Sequence, residues 1–396
     1  MVTSLVLKKN LTARRLLMVC ALLPSAVASA GAAQTAAARG CGEASRELAA
    51  ARAAEERADW GEALASYAEA FERAPRCAEI LVNLGATHNR LGQPERAVEV
   101  FRRAAALEPR LAAAHLNLGI TFFRARNFGE AGAALARAVE LDPDNAQARQ
   151  LLALSLIAEE QFAEAAAHLE RLLEKNEKDT AVLLALGECY LRLKRYGEAA
   201  ARLGRLVELE KGLARAHLRY GEALDNAGET ERAVVAFRDA VRLDPALPEA
   251  HYALGYALLK RGDLDEAAEE FESELRLNSG MLLAAYHLGK VRLQRGRLDE
   301  AVELLTRVIE AAPDFRPALE ALGQAFLKQG KVAESIPLLE RAVKLDPDWP
   351  DGRALLGRAY TAAGRREDAR REFEAAKRLG ARERKRLEEK VNEKRP

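Results

Sequence analysis

Histidine and cysteine are the side chains of this sequence best suited to chemistry at neutral pH. His115, His217 and His251 are separated by multiples of 34 residues, and no cysteine or carboxylate accompanies them at the spacing of a zinc site. We therefore interpret these histidines as packing residues rather than metal ligands. Cys189 lies in an apolar stretch and is interpreted as a small buried hydrophobic residue.

Catalytic and nucleotide-binding motifs are absent from the sequence. None of G-x-x-x-x-G-K-[ST], G-x-G-x-x-G, H-E-x-x-H and G-x-S-x-G occurs. The formal net charge of +1 excludes a strongly basic nucleic-acid-binding protein. We therefore predict a protein that is not an enzyme, needs no cofactor or metal, and binds no nucleic acid.

Composition favours a chain that is helical throughout. Hydrophobic residues make up 49% of the sequence and charged residues 31%, whereas aromatic residues make up only 5%. This balance is typical of long helical arrays and is too apolar for a disordered chain.

The first thirty residues have the pattern of a secretory signal. Four basic residues and no acidic one precede or border the apolar stretch 16–23, and Ala28-Ser29-Ala30 follows it. We expect cleavage after Ala30, an exported protein that is periplasmic or secreted, and a linker over residues 31–43. Cleavage would change the formal charge from +1 to −3. The alternative is an alanine-rich leader in a cytoplasmic protein.

A 34-residue period runs through residues 44–383 without an insertion. It is marked by one column of glycines, at positions 85, 119, 187, 221, 255, 289, 323 and 357. A second column of glycines follows seven residues later in six repeats, and prolines recur near the repeat ends. The frame defines ten repeats, which begin at Ala44, Ala78, Ala112, Ala146, Thr180, Ala214, Pro248, Leu282, Arg316 and Pro350.

Each repeat predicts two helices joined by a tight turn. Apolar residues recur at helical spacing, glycine interrupts them, and a second apolar stripe follows. Small residues in one column of each helix allow the two helices to approach closely. Since each pair can bury its remaining stripe only against the next pair, we predict an all-α solenoid.

These residues and their spacing resemble the tetratricopeptide repeat family over residues 44–383. The resemblance implies a right-handed superhelix whose first helices line a groove that binds a peptide or a helix of a partner protein. The sequence departs from the family pattern at Glu177 and Lys211, where proline is usual, so we expect these junctions to be more pliant. Glu274 and Arg292 also replace the usual alanine and aromatic residue, and either form a compensating ion pair or are independent exposed substitutions.

The family frame also implies which residues line the groove. In repeats 2 and 3 these are Asn83, Asn89, Arg90, Asn117, Phe123 and Arg124. In repeats 6–8 they are Arg215, Arg219, Glu222, Tyr252, Tyr256, Tyr286, His287 and Lys290. The asparagines at 83 and 117 resemble groove residues that hold the backbone of an extended peptide, or else they only follow the family consensus.

The tyrosines of repeats 7 and 8 are the strongest candidate for a binding surface. Tyr252 and Tyr256 lie one turn apart beside Tyr286, and Arg219 and Lys290 flank them. Exposed aromatic residues flanked by cations have the composition of an interface hot spot. We expect a segment with an apolar anchor and an acidic residue to dock across repeats 6–8. The alternative is that these tyrosines contact no ligand.

A disulfide between Cys41 and Cys77 is predicted at the start of the array. Cys41 precedes the first helix of repeat 1 and Cys77 follows its second helix, so antiparallel packing brings the two ends together. An oxidising compartment would let the thiols join. The alternative is a chance placement of two thiols.

The C-terminal residues 384–396 are a charged tail or the end of a capping helix. Residues 365–396 hold 13 lysines or arginines and 8 acidic residues, which makes this end basic. The main hypothesis for function is an exported, non-enzymatic scaffold that binds a partner protein. The alternative is a surface tether, or an accessory subunit of an envelope polysaccharide synthesis or export machine, that contacts anionic lipid or wall polymer through this tail.

Overall fold

The computed structural model of the protein describes residues 41–393, which form twenty α-helices and no strand. The all-α fold of tandem helix pairs is therefore confirmed. The predicted signal over residues 1–30, with its cleavage site, and nearly all of the predicted linker lie outside the described residues. No helix within residues 41–393 is both long enough and apolar enough to cross a bilayer.

The helices form two compact units of ten helices each, with the boundary between Glu210 and Lys211. The first unit contains α1 Ser45–Glu56, α2 Trp60–Arg73, α3 Ala78–Arg90, α4 Pro94–Leu107, α5 Ala112–Arg124, α6 Phe128–Leu141, α7 Ala146–Ala158, α8 Phe162–Lys175, α9 Thr180–Arg192 and α10 Tyr196–Leu209. The second unit contains α11 Ala214–Asn226, α12 Thr230–Leu243, α13 Ala250–Arg261, α14 Leu264–Leu277, α15 Leu282–Gln294, α16 Leu298–Ala311, α17 Arg316–Lys328, α18 Val332–Leu345, α19 Pro350–Ala362 and α20 Arg366–Glu393.

Odd-numbered helices are the first helices of the repeats, and each packs on the even-numbered helix that follows it. First helices of neighbouring repeats also contact each other, for example α3 with α5 and α15 with α17. We call the surface that the first helices form in each unit the first-helix face. Eight of the ten first helices begin where the repeat frame begins, whereas α1 begins one residue later and α13 two residues later.

The turn inside every repeat contains one residue with left-handed backbone geometry. Glycine occupies this position in six repeats, with φ between 71° and 95°. The other four repeats use Ala58, Arg126, Glu160 and Lys194, with φ between 57° and 60°. Glycine is favoured here because it has no Cβ to clash in this region. The second glycine column of the sequence therefore indicates where the turn needs a residue with left-handed backbone geometry.

The first glycine column marks the closest approach of the two helices in a repeat. A Cβ added at Gly187 would lie 2.5 Å from the Cγ of Leu203, and one at Gly221 would lie 2.5 Å from the ring of Phe237. The equivalent positions of the other repeats with glycine give distances between 2.5 and 2.9 Å. Because interiors are close-packed, these glycines let a large apolar residue of the second helix fill the space.

Side-chain caps start several helices, as the polar residues before them suggest. Asp59 accepts a hydrogen bond from the Glu62 backbone amide at the start of α2. Asn145 and Asp179 cap α7 and α9 in the same way. Each cap satisfies a backbone N–H that has no partner inside the helix, which stabilises the helix by about 1 kcal/mol.

Candidate functional site

Six aromatic side chains come together on the first-helix face of the second unit and behind it. We call this group the aromatic cluster, and it consists of Tyr252, Tyr256, Phe271, Tyr286, His287 and Phe315. The rings of Tyr252 and Tyr256 are stacked with centroids 6.2 Å apart, and His287 lies 5.2 Å from Tyr256. Tyr286 contacts the ring of Phe315 edge-on at 5.2 Å.

Helical spacing and the repeat period explain why these rings meet. Tyr252 and Tyr256 lie four residues apart on α13, so they share one face. Tyr286 follows Tyr252 by one period and therefore has the equivalent position on α15. His287 is the next residue and packs flat against Phe271 of α14, with ring centroids 5.7 Å apart. The cluster thus connects three helices of repeats 7 and 8.

The tyrosines are less accessible than the sequence predicts. Tyr256 is 39% exposed, whereas Tyr252 and Tyr286 are only half-buried rather than exposed. Each of these two rings packs on a neighbouring ring, which removes much of its surface from water. This burial raises the pKa of both hydroxyls to about 12. Tyr256 is therefore the most accessible aromatic side chain of the cluster.

His287 is an uncharged histidine inside the cluster. Burial, with a smaller contribution from Lys290, lowers its pKa to about 4. Its Nδ1 is buried and has no hydrogen-bond partner among the residues that the structure describes. A charged imidazolium would lose hydration in this aromatic surrounding, so the neutral form is favoured at pH 7.

The pKa of His287 predicts a loss of stability in mild acid. Since the pKa of about 4 in the folded chain is below the ordinary value of 6.5, the unfolded chain takes up the proton first as pH falls. We expect this residue to lower the free energy of unfolding by about 2 kcal/mol between pH 7 and pH 5. Urea denaturation of the wild type and of His287→Phe at both pH values measures this contribution.

Between pH 7 and pH 5, the free energy of unfolding of His287→Phe should therefore fall by about 2 kcal/mol less than that of the wild type. Phenylalanine suits the position because the ring already packs against Phe271. Glu274 acts in the opposite direction, because burial raises its pKa, but it is present in both proteins. Equal losses in wild type and variant would contradict the assignment.

Glu274 and Arg292 do not pair with each other. Arg292 instead forms ion pairs with Glu272 and, at 3.1 Å, with Glu300. Glu274 is 2% exposed and accepts a hydrogen bond of 3.2 Å from the backbone amide of Tyr252. Neither suggestion from the sequence is therefore correct, because Glu274 is buried and Arg292 finds two other carboxylates.

The basic residues at this site differ in whether a carboxylate neutralises their charge and in how exposed they are. The guanidinium of Arg219 pairs with Glu222 at 2.7 Å, and Arg215 is half-buried. Lys290 is exposed, and its Nζ lies 5.6 Å from the centroid of the Tyr286 ring. Cation–π contact of this kind holds the ammonium over the ring without neutralising its charge. Lys290 therefore carries an accessible positive charge next to the cluster.

An open cavity of about 260 Å³ lies between α15 and α17, beside the aromatic cluster. Its polar lining consists of Lys290, Gln294, Glu320, Gln324 and Lys328, with Tyr286 at one side. Burial raises the pKa of Glu320. The residues of α17 were not predicted from the sequence, although Glu320 and Gln324 lie one 34-residue period after Tyr286 and Lys290.

In the first unit, the asparagine side chains predicted to line the groove mostly form hydrogen bonds with other residues of that unit. The side-chain amide of Asn117 donates to the backbone carbonyl of Ala113, at 2.9 Å. Asn89 donates to Thr121 on the next first helix, at 2.8 Å. Asn83 is half-buried on the same face. A role for Asn83 and Asn117 in holding a peptide stays a prediction.

Two other groove positions of the first unit make ring contacts. Phe123 packs edge-on against Phe128, with centroids 5.5 Å apart. The guanidinium of Arg90 lies 4.6 Å from the centroid of the Trp60 ring. Arg124 is exposed.

The three histidines of one repeat position anchor the loops before their helices. In His115, His217 and His251, Nε2 donates to the backbone carbonyl six residues earlier, at 3.1 Å in each case. Arg149 and Arg353 make the same type of contact in repeats 4 and 10. Each contact holds the loop against the first helix that follows it, and this structural role accounts for these side chains.

The cysteines are placed as follows. Cys41 and Cys77 form a disulfide in the structure, with Cα atoms 5.2 Å apart, and both are buried. Cys189 is a free, buried thiol, and burial raises its pKa to about 12. A thiol with such a pKa is a poor nucleophile at neutral pH.

At the C-terminal end, α20 continues well beyond the length of the other second helices. It has 28 residues, whereas each of the others has 14. The helix passes through residue 384, which the sequence predicts as the start of the charged tail. The side chains of residues 381–386 are exposed.

Comparison with known proteins shows where the repeats match established families. One tetratricopeptide repeat model matches residues 48–110, 87–146, 195–248, 218–281 and 252–314, which together exceed half of the chain. A second tetratricopeptide repeat model matches residues 156–219 and 326–386. No curated protein matches the chain.

Among solved structures, MamA from Desulfovibrio magneticus RS-1 is 26% identical, with a TM-score of 0.41 over 42% of this chain and 95% of that one. YrrB, described as a tetratricopeptide repeat protein with an unusual peptide-binding site, is 23% identical, with a TM-score of 0.45 over 47% of this chain and 96% of that one. The family matches cover both units and agree with the 34-residue helix pairs. The chain therefore belongs to the tetratricopeptide repeat family.

Proposed function

We propose that the protein is a scaffold that binds a segment of a partner protein on the first-helix face of its second unit. The observation that carries the proposal is the aromatic cluster with an exposed Tyr256, next to a cavity lined by lysine and glutamine side chains. Rigid aromatic residues beside cations are the type of surface in which interface energy concentrates.

Tyr256 is suited to contact an apolar anchor of the partner. Its ring is supported from behind by Tyr252 and His287, so it is held in place before a ligand arrives. A side chain that is already ordered loses little conformational entropy on binding. The partner segment should therefore carry an aliphatic or aromatic residue opposite Tyr256.

The cavity between α15 and α17 is suited to an acidic or amide side chain of the same segment. Lys290 and Lys328 supply two positive charges against the single carboxyl of Glu320, and Gln294 and Gln324 supply amide donors and acceptors. Its volume of about 260 Å³ is below the roughly 300–1,000 Å³ of small-molecule pockets, which favours a side chain as the occupant.

This proposal moves the docking region from repeats 6–8 to repeats 7–9. Arg219 of repeat 6 already pairs with Glu222, so it is not required for the acidic contact. Lys290 of repeat 8 and Lys328 of repeat 9 form no ion pair with the residues that the structure describes. They supply the positive charge that the sequence pattern assigns partly to Arg219 of repeat 6.

Export to an oxidising compartment is part of the proposal. The signal pattern of residues 1–30 and the pairing of Cys41 with Cys77 both support it. The alternatives, a surface tether or an accessory subunit of a polysaccharide machine, depend on the basic C-terminal end. There Glu383, Glu388 and Glu389 are exposed among the basic residues, which weakens attraction to an anionic surface, so we place the main site on the second unit.

Peptide selection against the intact protein tests the proposed site. A displayed library of random 15-residue peptides should yield sequences that combine an apolar residue with aspartate or glutamate. Against the best peptide, Tyr256→Ala should weaken binding by at least about tenfold, which corresponds to about 1.4 kcal/mol. Lys290→Ala should weaken it less and should reduce the dependence of Kd on salt.

Val235→Ala is the matched control, because Val235 is 60% exposed on the second helix of repeat 6. This variant should bind the peptide as the wild type does. If the double variant Tyr256→Ala/Lys290→Ala kept its helicity and bound the selected peptide with unchanged affinity, the site would lie elsewhere on the protein.

A further inference from the structure

The first helix of repeat 7 begins differently from those of its neighbours. In repeats 6, 8, 9 and 10 the first helix starts at the first residue of the frame, but α13 starts at Ala250 and not at Pro248. Glu249 precedes it with φ of 70°. Every other residue with positive φ among the described residues lies in the turn inside a repeat. This start is therefore peculiar to repeat 7.

Near the start of α13, Glu274 is the residue that differs from its equivalents in the other repeats. The equivalent position of the second helix is alanine in six repeats, including Ala240 and Ala342 in the second unit. At 2% exposure, the glutamate of repeat 7 needs a hydrogen-bond donor. Its Oε2 accepts from the backbone N–H of Tyr252, at 3.2 Å.

The Tyr252 amide belongs to the first turn of α13, where backbone N–H groups have no partner inside the helix. A carboxylate at this end is also favoured by the helix dipole. Glu274 thus takes the role of a capping side chain, although it lies 22 residues away on α14. The contact ties the residue at the centre of the aromatic cluster to the buried core of repeat 7.

We propose that Glu274 is a positioning residue of the binding site: through the Tyr252 amide it sets the start of α13 and hence the place of Tyr252 and Tyr256. The use of these tyrosines in binding rests on the proposed function, whereas the effect on α13 does not. Alanine at position 274 would remove the cap and let α13 begin at Pro248, as in the neighbouring repeats. The aromatic cluster would then repack.

Two variants separate positioning from a general effect on stability. Glu274→Ala removes the acceptor, and Glu274→Gln keeps an oxygen that can accept from the Tyr252 amide. The backbone chemical shifts of residues 247–253 report where α13 begins. Titration of the His287 ring by NMR reports how tightly the cluster is packed around it. Neither measurement needs a partner.

We expect Glu274→Ala to extend α13 to Pro248 and to raise the pKa of His287 by about one unit or more, toward its ordinary value. In Glu274→Gln, the start of α13 and the pKa of His287 should both stay close to those of the wild type. The peptide selected on the wild type should bind Glu274→Ala about tenfold more weakly and Glu274→Gln within about threefold of the wild type.

The inference is overturned if α13 still begins at Ala250 in Glu274→Ala, or if the His287 titration does not change. It is equally overturned if α13 is extended but the cluster and the peptide affinity stay as in the wild type. The proposed function fails separately, if the selected peptides are insensitive to Tyr256→Ala while the variants at 274 still shift α13.

Discussion

Loss of the Cys41–Cys77 disulfide should lower the free energy of unfolding of the first repeat by about 2–4 kcal/mol. The bond joins residues separated by 36 positions, across the start of repeat 1 and the start of α3. Repeat 1 has a neighbouring repeat on one side only within the described chain, so it has less packing to compensate. We expect hydrogen exchange in α1 and α2 to accelerate in Cys41→Ser/Cys77→Ser, with α5 to α9 changed much less.

Alkylation and intact mass establish whether the bond exists in the protein from its native host. Unfolded without reductant, a chain that lacks the first thirty residues should take up alkyl groups at Cys189 alone. After reduction it should take them up at all three cysteines. The double serine variant controls for reductant, because reductant should not change its stability. Three reactive thiols before reduction would refute the prediction.

A large side chain at Gly187 should destabilise the first unit by about 1–3 kcal/mol through overpacking. Even a Cβ at this position would lie 2.5 Å from the Cγ of Leu203. Repeat 4 has Ala153 at the equivalent position, fully buried, so a single methyl group can be accommodated there. Gly187→Leu should therefore be much more harmful than Gly187→Ala. Urea denaturation followed by helical circular dichroism measures both.

Gly197 of the same repeat is the matched control. It lies in α10 at an exposed position where an added Cβ would meet nothing within 4 Å. Gly197→Leu should stabilise the helix by up to about 1 kcal/mol, because glycine is a poor helix former. Equal effects of leucine at 187 and 197 would show that helix propensity, rather than the close approach of α9 and α10, decides the outcome.

Only part of the candidate site could be predicted from the sequence. Spacing alone places Tyr252 and Tyr286 at equivalent positions and Tyr256 one turn after Tyr252, and in the structure the His287 ring lies between Tyr286 and the stacked rings of Tyr252 and Tyr256. The cavity beside them could not be predicted in this way, because α17 contributes no aromatic side chain to its lining. The degree of burial was also missed, since the packing of Tyr286 on Phe315 depends on how repeats 8 and 9 stack.

The sequence by itself determined the repeating architecture, because helices, turns and caps depend on residues a few positions apart. Glycine at 187 and 221 marks the close helix approach, and glycine at 92 and 228 marks the left-handed turn. Only the tertiary structure decided which partners Arg292 and Glu274 find. Those contacts join residues on different helices, and burial determines whether a carboxylate pairs with a cation or caps a helix. In repeat 7 it caps α13.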